Sequence, residues 1–383
     1  MSFKKLDELT ELLKFYGINL AKSYYVIYKD QYNEMEKTVS IFLNMMKILY
    51  QENIYFNLDI PLISEIQKIE NPSLSFSPLR FDFLIDLEGN LVISDINLPG
   101  SFVPDLYWMM VDQKSTKKKI QEIYMYFNAF PKYRKIISQY FKTRFRIIRF
   151  LEINTRKSEK QRQFIGGLYK LISAVGPITI DYPDQEINNA DFSQLDTDHL
   201  ISLFLNTHNS PKNLVDSIKI LCESKKSIFV NPKLLPFTDK KPPSLEFIKS
   251  YLKDNDADYL YDHLPKSENQ KGYLEKKRFG HSSSSFEGDS KKLEDLITSS
   301  VHPYPVVKTE KLSALQYQTI PNTEDPVLEY DRFMFELSLN TFITTQNNSF
   351  LYVDRCVSVS SRGAKNHPIS GPGTLIFPTL MEV

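Results

Sequence analysis

The chain has 383 residues, 42% of them hydrophobic, enough to fill two or three packed modules. Lys plus Arg and Asp plus Glu number 47 each, so the formal charge is zero, and neither a nucleic-acid footprint nor an anionic membrane surface is indicated. Two cysteines, Cys222 and Cys356, give no disulfide framework or thiolate metal site, and six histidines lie scattered without ligand spacing.

The first stretch, MSFKKLDELTELLKFYG, is charged and helical in pattern rather than an apolar signal core. No run approaches the ~18–20 apolar residues of a membrane-spanning helix, and a reducing, cytoplasmic setting is expected. Residues 1–74 read as a helical segment. Leu6, Leu9, Leu12, Leu13 and Tyr16, then Val39, Phe42, Met45, Met46 and Leu49, recur at helical spacing and supply core.

Residues 80–97 read as a β-hairpin. Phe81, Phe83 and Ile85 alternate with Arg80, Asp82 and Leu84, and Leu91, Ile93 and Ile96 follow a turn at Glu88-Gly89. A two-residue loop there sets Asp82 opposite Asp95 and Arg80 opposite Asn97. Like charges directly opposite each other destabilise a sheet unless a cation sits between them. A divalent ion suits the oxygen donors Asp82, Asp95 and Asn97, because magnesium takes one or two such side chains plus phosphate oxygens. Arg80, always charged and forked, suits a phosphate beside that ion. A surface hairpin with solvated acids is the plain alternative.

Residues 106–142 read as helical, with Lys117-Lys118-Lys119 on a solvated face. From 143 to 232 strands and helices alternate: strands at 146–153, 177–181, 200–205 and 227–232, with helices opening at Ser158 and running from Asn213 to Cys222. This is a small α/β layer with parallel pairing and no GxGxxG turn. The stretch 233–270 is polar and proline-interrupted, with a helix from Ser244 to Lys253. Tyr273 to His281, then the serines 282–285, read as a basic strand running into a phosphate flap or, equally, a linker. Strands follow at 304–310, 331–336 and 350–354, and Arg355 to Pro378 reads as a long loop able to order over a ligand.

Taken in order, these residues resemble the circularly permuted ATP-grasp ligases, including glutathionylspermidine synthase and its relatives. Arg80-Phe81-Asp82, the glycine turn and Asp95-Ile96-Asn97 look like the family's metal-binding hairpin, an Arg-x-Asp strand followed by a Glu-x-Asn strand. In ordinary ATP-grasp chains that hairpin comes last; here it comes first. The resemblance implies an α+β fold in four parts: an N-terminal helical segment at 1–74; the hairpin and helices of the permuted grasp at 75–142; a small Rossmann-like α/β domain preceding the grasp at 143–232; and the nucleotide-binding region with its closing loop at 233–383. It implies ATP and Mg2+ as cofactors. Lys240 or Lys241 takes the place of the first nucleotide lysine, Lys276 or Lys277 that of the second, and Gly280, Ser282 and Ser283 that of the flexible loop. Thr309 and Glu310 fall beside base or ribose, and Arg362 in the closing stretch. Three departures stand out. Asp95 replaces the usual glutamate, His281 and serines replace the flap's Arg-Glu-Gly, and a strand glutamine common beside adenine is missing at 308–310.

The implied activity is ATP- and magnesium-dependent joining of a carboxylate to an amine through an acyl phosphate, on small-molecule or peptide substrates, with no covalent enzyme nucleophile. Arg80 and Arg362 are the implied catalytic residues, and Asp82→Ala is expected to abolish turnover with the fold largely intact. A nucleotide-binding scaffold that has lost catalysis, and a small-molecule kinase on the same architecture, are the alternatives. The sequence specifies neither substrates nor oligomeric state.

Overall fold

The computed structural model describes residues 3–21, 24–86, 88–98, 231–266, 334–364, 374–377 and 379–382, the strand segments 124–126, 147–152, 179–181, 199–204, 227–228, 273–277, 285–286, 306–310 and 319–320, and the helical residues Gln163, Gly167 and Lys219. In chain order the N-terminal elements are α1 (Phe3–Tyr16), β1 (Asn19–Leu20), β2 (Tyr24–Ile27), α2 (Lys29–Glu52) and α3 (Pro61–Lys68). The hairpin strands β3 (Leu74–Ile85) and β4 (Leu91–Asn97) follow, then β5 (Tyr124–Tyr126), β6 (Ile147–Glu152), β7 (Thr179–Asp181), β8 (His199–Phe204) and β9 (Ser227–Ile228). After a 3-10 turn over Pro232–Thr238 come α4 (Leu245–Lys249), α5 (Asp254–Asp262), β10 (Tyr273–Lys277), β11 (Ser285–Phe286), β12 (Val306–Glu310) and β13 (Thr319–Ile320). The chain then runs through β14 (Met334–Gln346), β15 (Ser349–Ala364), β16 (Leu375–Phe377) and β17 (Thr379–Glu382).

One large mixed sheet runs in the order β1-β16-β15-β14-β3-β9-β8-β6-β7, with β4 sharing the free side of β3 beyond β9. Strands β9, β8, β6 and β7 pair in parallel, as alternating strand and helix predict, whereas β3, β4, β14, β15 and β16 are antiparallel. The parallel strands expected in a separate α/β domain are therefore continuous with the antiparallel ones, because β9 pairs with the start of β3.

Helix α2 is the principal packing partner of the antiparallel part. Its first turn is closed by Gln31 Oε1 accepting from Tyr28 N at 3.3 Å, and its end by Asn53 in the left-handed region (φ 56°), which lets Ile54 N reach Leu49 O at 2.8 Å. The apolar stripe read from sequence is its buried face: Val39, Phe42, Met45, Met46 and Leu49 are all at most 2% exposed. Phe42 meets Phe81 of β3 edge-on, ring centroids 5.6 Å apart, and Phe83, Phe335, Leu337, Leu339, Val359 and Phe377 complete the same core.

The sequence expectations need three corrections. The N-terminal segment is not wholly helical. β1 pairs with β16 and β2 with β13 and β17, pairings that a two- or four-residue strand reveals only through distant partners. Residues 355–364 and 375–377, expected in a loop, are strand, because Val357, Val359 and Ser361 continue a two-residue alternation that the Ser and Gly content obscures. Tyr124–Tyr126, expected as helix, is a strand paired with β17.

Candidate functional site

Alternation along β3 and β14 sends aromatic and aliphatic side chains to the α2 face and polar ones to the other. The pairs Asp82↔Ser338, Arg80↔Asn340, Glu336↔Arg362 and Ser338↔Ser360, with Asp82↔Asp95 and Arg80↔Asn97, lay a polar patch across four adjacent strands. Among these, Asp82, Ser338, Asn340 and Ser360 are at most 2% exposed, although they lie opposite the apolar core.

The hairpin register agrees with the sequence reading for a different local reason. The turn is wider than two residues. Asp86 N donates to Asn90 O at 3.0 Å, and the Asp86 carboxylate accepts from Glu88 N and Asn90 N, with Gly89 at φ +92° between them. That turn pairs Ile85 with Leu91 and alone would bring Ser94 opposite Asp82. A β-bulge between Asp82 and Phe83 absorbs one residue and restores Asp82↔Asp95. Ser94 Oγ, 3.1 Å from the Asp82 carbonyl it donates to, fills the bulge. The sequence carries the signal: the apolar spacing is two residues from Leu91 to Ile93 and three from Ile93 to Ile96.

Asp82 is the hub. Its Oδ1 accepts from Arg80 Nε at 2.7 Å and Ser338 Oγ at 2.6 Å, and its Oδ2 from Arg80 Nη2 at 2.8 Å, Asn97 Nδ2 at 2.8 Å and Arg362 Nη2 at 3.2 Å. Arg80 thus grips the carboxylate with both teeth of its fork. Burial pushes the Asp82 carboxyl up, but the guanidiniums of Arg80 and Arg362, with the Arg80 and Ser338 hydrogen bonds, outweigh it and hold the group below the ordinary carboxylate range. Arg362 Nη2 also donates to Glu336 Oε1 in a close ion pair. Burial, opposed by Arg362 and reinforced by Asp82 and Asp95, raises Glu336 to about 7. Arg362, disfavoured by burial but facing Glu336 and Asp82, is held more firmly charged than usual.

On the β4 side, Lys240 Nζ lies 3.7 Å from Asp95 Oδ2, the lysine 4% and the acid 17% exposed. The turn after the 3-10 segment aims it there. Asp239 accepts from Lys241 N at 2.9 Å and from Asn57 Nδ2 at 3.0 Å. Lys241, one residue on, is exposed. Beside the pair opens a small cleft lined by Phe42, Ile93, Phe237, Pro242, Pro243 and Leu264.

The structure therefore brings together Arg80, Asp82, Asp95, Asn97, Lys240 and Arg362, and leaves Lys241 outside. Lys276 and Lys277 lie on β10 of a separate three-stranded sheet, paired with Val307 and Val306, and Thr309 and Glu310 lie further along the same ladder, opposite Leu274 and Tyr273. Gly280, Ser282 and Ser283 fall outside the described residues. Glu336, Ser338 and Ser360 were not anticipated. The alternation Phe335, Leu337, Leu339 against Glu336, Ser338, Asn340 carries the signal, but the strand read from sequence stops at residue 336, whereas β14 runs on to Gln346.

Among the described residues no cluster of three or more His, Cys, Asp or Glu is arranged for a metal ion, and no helix is long and apolar enough to cross a membrane. Magnesium needs only one or two protein oxygens when phosphate and water supply the rest. Asp95, paired across β3–β4 with the hub and partly exposed, and Asn97 fit that requirement. Asp82, with five donors on two oxygens, does not.

No protein-family model and no curated protein matches the chain. Among solved structures, a glutathione synthetase-like effector from Globodera pallida in its apo form superposes with a TM-score of 0.52 at 14% identity, covering 98% of this chain and 96% of that one. A provisionally assigned gamma-glutamylcysteine synthetase from Methylobacillus flagellatus KT gives a TM-score of 0.38 at 11% identity over 86% of this chain and 81% of that one. The chain therefore has a mixed α+β fold of the kind seen in the glutathione synthetase-like effector.

Proposed function

We propose that the protein is an ATP- and Mg2+-dependent ligase of the circularly permuted ATP-grasp type, joining a small-molecule or peptide carboxylate to an amine. The observation that carries this reading is the patch itself. Two oxygen donors, Asp95 and Asn97, stand in register beside a pinned arginine, Arg80, and within reach of the buried Lys240, on the polar face of a sheet whose fold is that of a glutathione synthetase-like protein. The chain order, hairpin first and lysines after, supports the permuted arrangement.

In this reading Asp95 and Asn97 hold magnesium, which when bound supplies charge neutralisation between nucleotide phosphates. Lys240 leaves Asp95 to meet a phosphate oxygen, a move of a few ångströms for a flexible lysine. Arg80, fixed by the Asp82 carboxylate, presents a preorganised positive charge to the phosphoryl group in transfer. Asp82 orients this arginine instead of ligating the metal, which revises the role implied by the sequence motif. Lys276 or Lys277 on β10 supplies a second phosphate contact, and Thr309 and Glu310 on β12 lie toward base or ribose. The γ-phosphoryl group passes to the substrate carboxylate, and the amine then displaces inorganic phosphate to form the amide.

A catalytically silent nucleotide-binding protein is the second reading. It is favoured by the pairing of every charge in the patch and by Asp95 standing where a longer glutamate is usual. Magnesium-dependent ADP release across a panel of amino acids, peptides and polyamines, followed by mass measurement of products, separates them. ADP with inorganic phosphate and a condensed product supports the ligase. Nucleotide binding without ADP in any mixture supports the silent protein, and a phosphorylated acceptor identifies a kinase.

A further inference from the structure

The two arginines of the patch are used differently. Arg80 gives both Nε and Nη2 to one carboxylate. Arg362 divides a single Nη2 between Asp82 and Glu336, while its buried Nε has no hydrogen-bond partner among the described residues. Ser360 lies two residues before Arg362, opposite Ser338, and its hydroxyl is likewise buried and unpartnered. A buried guanidinium edge and a buried hydroxyl without acceptors are costly, and such groups normally meet a ligand or ordered water. What they lack is an acceptor with two oxygens, the chemistry of a carboxylate or a phosphoryl group.

We propose that Glu336 is a resident counter-ion on Arg362, displaced when a carboxylate or phosphoryl group of a ligand takes the Nε–Nη2 edge, and that Glu336 takes a proton from solvent as it is displaced. The charges facing it are Arg362 from β15, Asp82 and Arg80 from β3 and Asp95 from β4. With Arg362 turned to a ligand, Glu336 keeps its burial and the repulsion of Asp82 and Asp95, to which the ligand adds a further negative charge. The ionised carboxylate is then disfavoured further than it is beside Arg362, which favours uptake of a proton. The inference deepens the ligase reading, since it concerns the same patch, but it needs no turnover.

The test is calorimetric titration of the intact protein with sulfate, whose charge does not change near neutrality, in two buffers of different ionisation enthalpy at matched ionic strength. Malonate and MgATP serve as parallel arms that distinguish carboxylate from phosphoryl ligands. The expected result is uptake of a sizeable fraction of one proton per anion bound near pH 7.5, and an affinity falling by up to about tenfold per pH unit above neutrality. In Glu336→Gln, uptake vanishes, the pH dependence flattens and the anion binds more tightly at pH 8. Arg362→Lys weakens binding in all arms. Should Glu336→Gln fail to fold, the parent protein's proton count and pH slope decide alone. Anion binding with no uptake, uptake that persists in Glu336→Gln, or no binding in any arm overturns the inference. ADP formation without proton uptake on MgATP binding would sink this inference and leave the ligase reading standing; sulfate-linked uptake without ADP formation would do the reverse.

Discussion

Replacing Asp82 with alanine removes the one carboxylate that accepts from Arg80, Arg362, Ser338 and Asn97 together. Arg362 keeps Glu336, but Arg80, only 9% exposed, is left as a buried cation with two donors orphaned. Breaking a buried ion pair by deleting one partner costs about 3–5 kcal/mol, more than the hydrogen bonds alone would suggest, because the survivor's charge is uncompensated. The variant should therefore unfold at markedly lower urea concentration and melt about 4–6 °C lower, followed by circular dichroism. Asp82→Asn, which keeps the shape and one acceptor oxygen, should fall between. This departs from the sequence-based expectation that Asp82→Ala spares the fold. The sign with acid follows from the same contacts. The folded carboxyl titrates below its ordinary 3.8, so its contribution is present above that value and disappears as pH falls through the folded one. The acid unfolding of Asp82→Asn should accordingly be shallower. An Asp82→Ala protein within about 1 kcal/mol of the parent would show that the arginines have other partners and refute the hub.

Three further outcomes follow from the same geometry. Lys240→Ala should weaken MgATP binding by about tenfold or more, measured by calorimetry, whereas Lys241→Ala, at an exposed position, should change it less than about twofold. Glu336 has a folded value of about 7 against an ordinary 4.5, so folding stability should decline as pH rises from 4.5 to 7 and stay at the lower level above. Urea titrations across that range should show this slope in the parent and not in Glu336→Gln. Lys233, 2% exposed, donates to Gln67 O at 3.2 Å and Ile69 O at 2.6 Å at the end of α3; Gln67 O keeps Asn53 Nδ2 at 3.0 Å, so Lys233→Met should cost about 1–3 kcal/mol through the loss of the Ile69 carbonyl's lysine donor, read from urea unfolding.

The hairpin was legible because alternation and a glycine turn are local signals, and its register survived only because a wider turn and a bulge shift pairing in opposite directions. The parallel strands β6 to β9 were legible for a similar reason, as short apolar runs between helical stretches. What sequence could not supply was distance. β1 and β2 are two and four residues long and take their partners from the C-terminal strands hundreds of residues away. Glu336 and Arg362 meet because β14 and β15 stay paired for more than ten residues, and no local pattern couples an acid near 336 to an arginine near 362. The hub role of Asp82 was hidden too, since an Arg-x-Asp strand suits a metal ligand and a guanidinium anchor equally. Only the count of donors around its oxygens separates the two.

The most direct test of the account is a structure determined with Mg2+ and a non-hydrolysable ATP analogue. The account predicts the metal on Asp95 and Asn97, a phosphate oxygen against Lys240, and Asp82 still clasped by Arg80. A nucleotide bound away from this patch, or a metal seated on Asp82 with Arg80 swung clear, would contradict it.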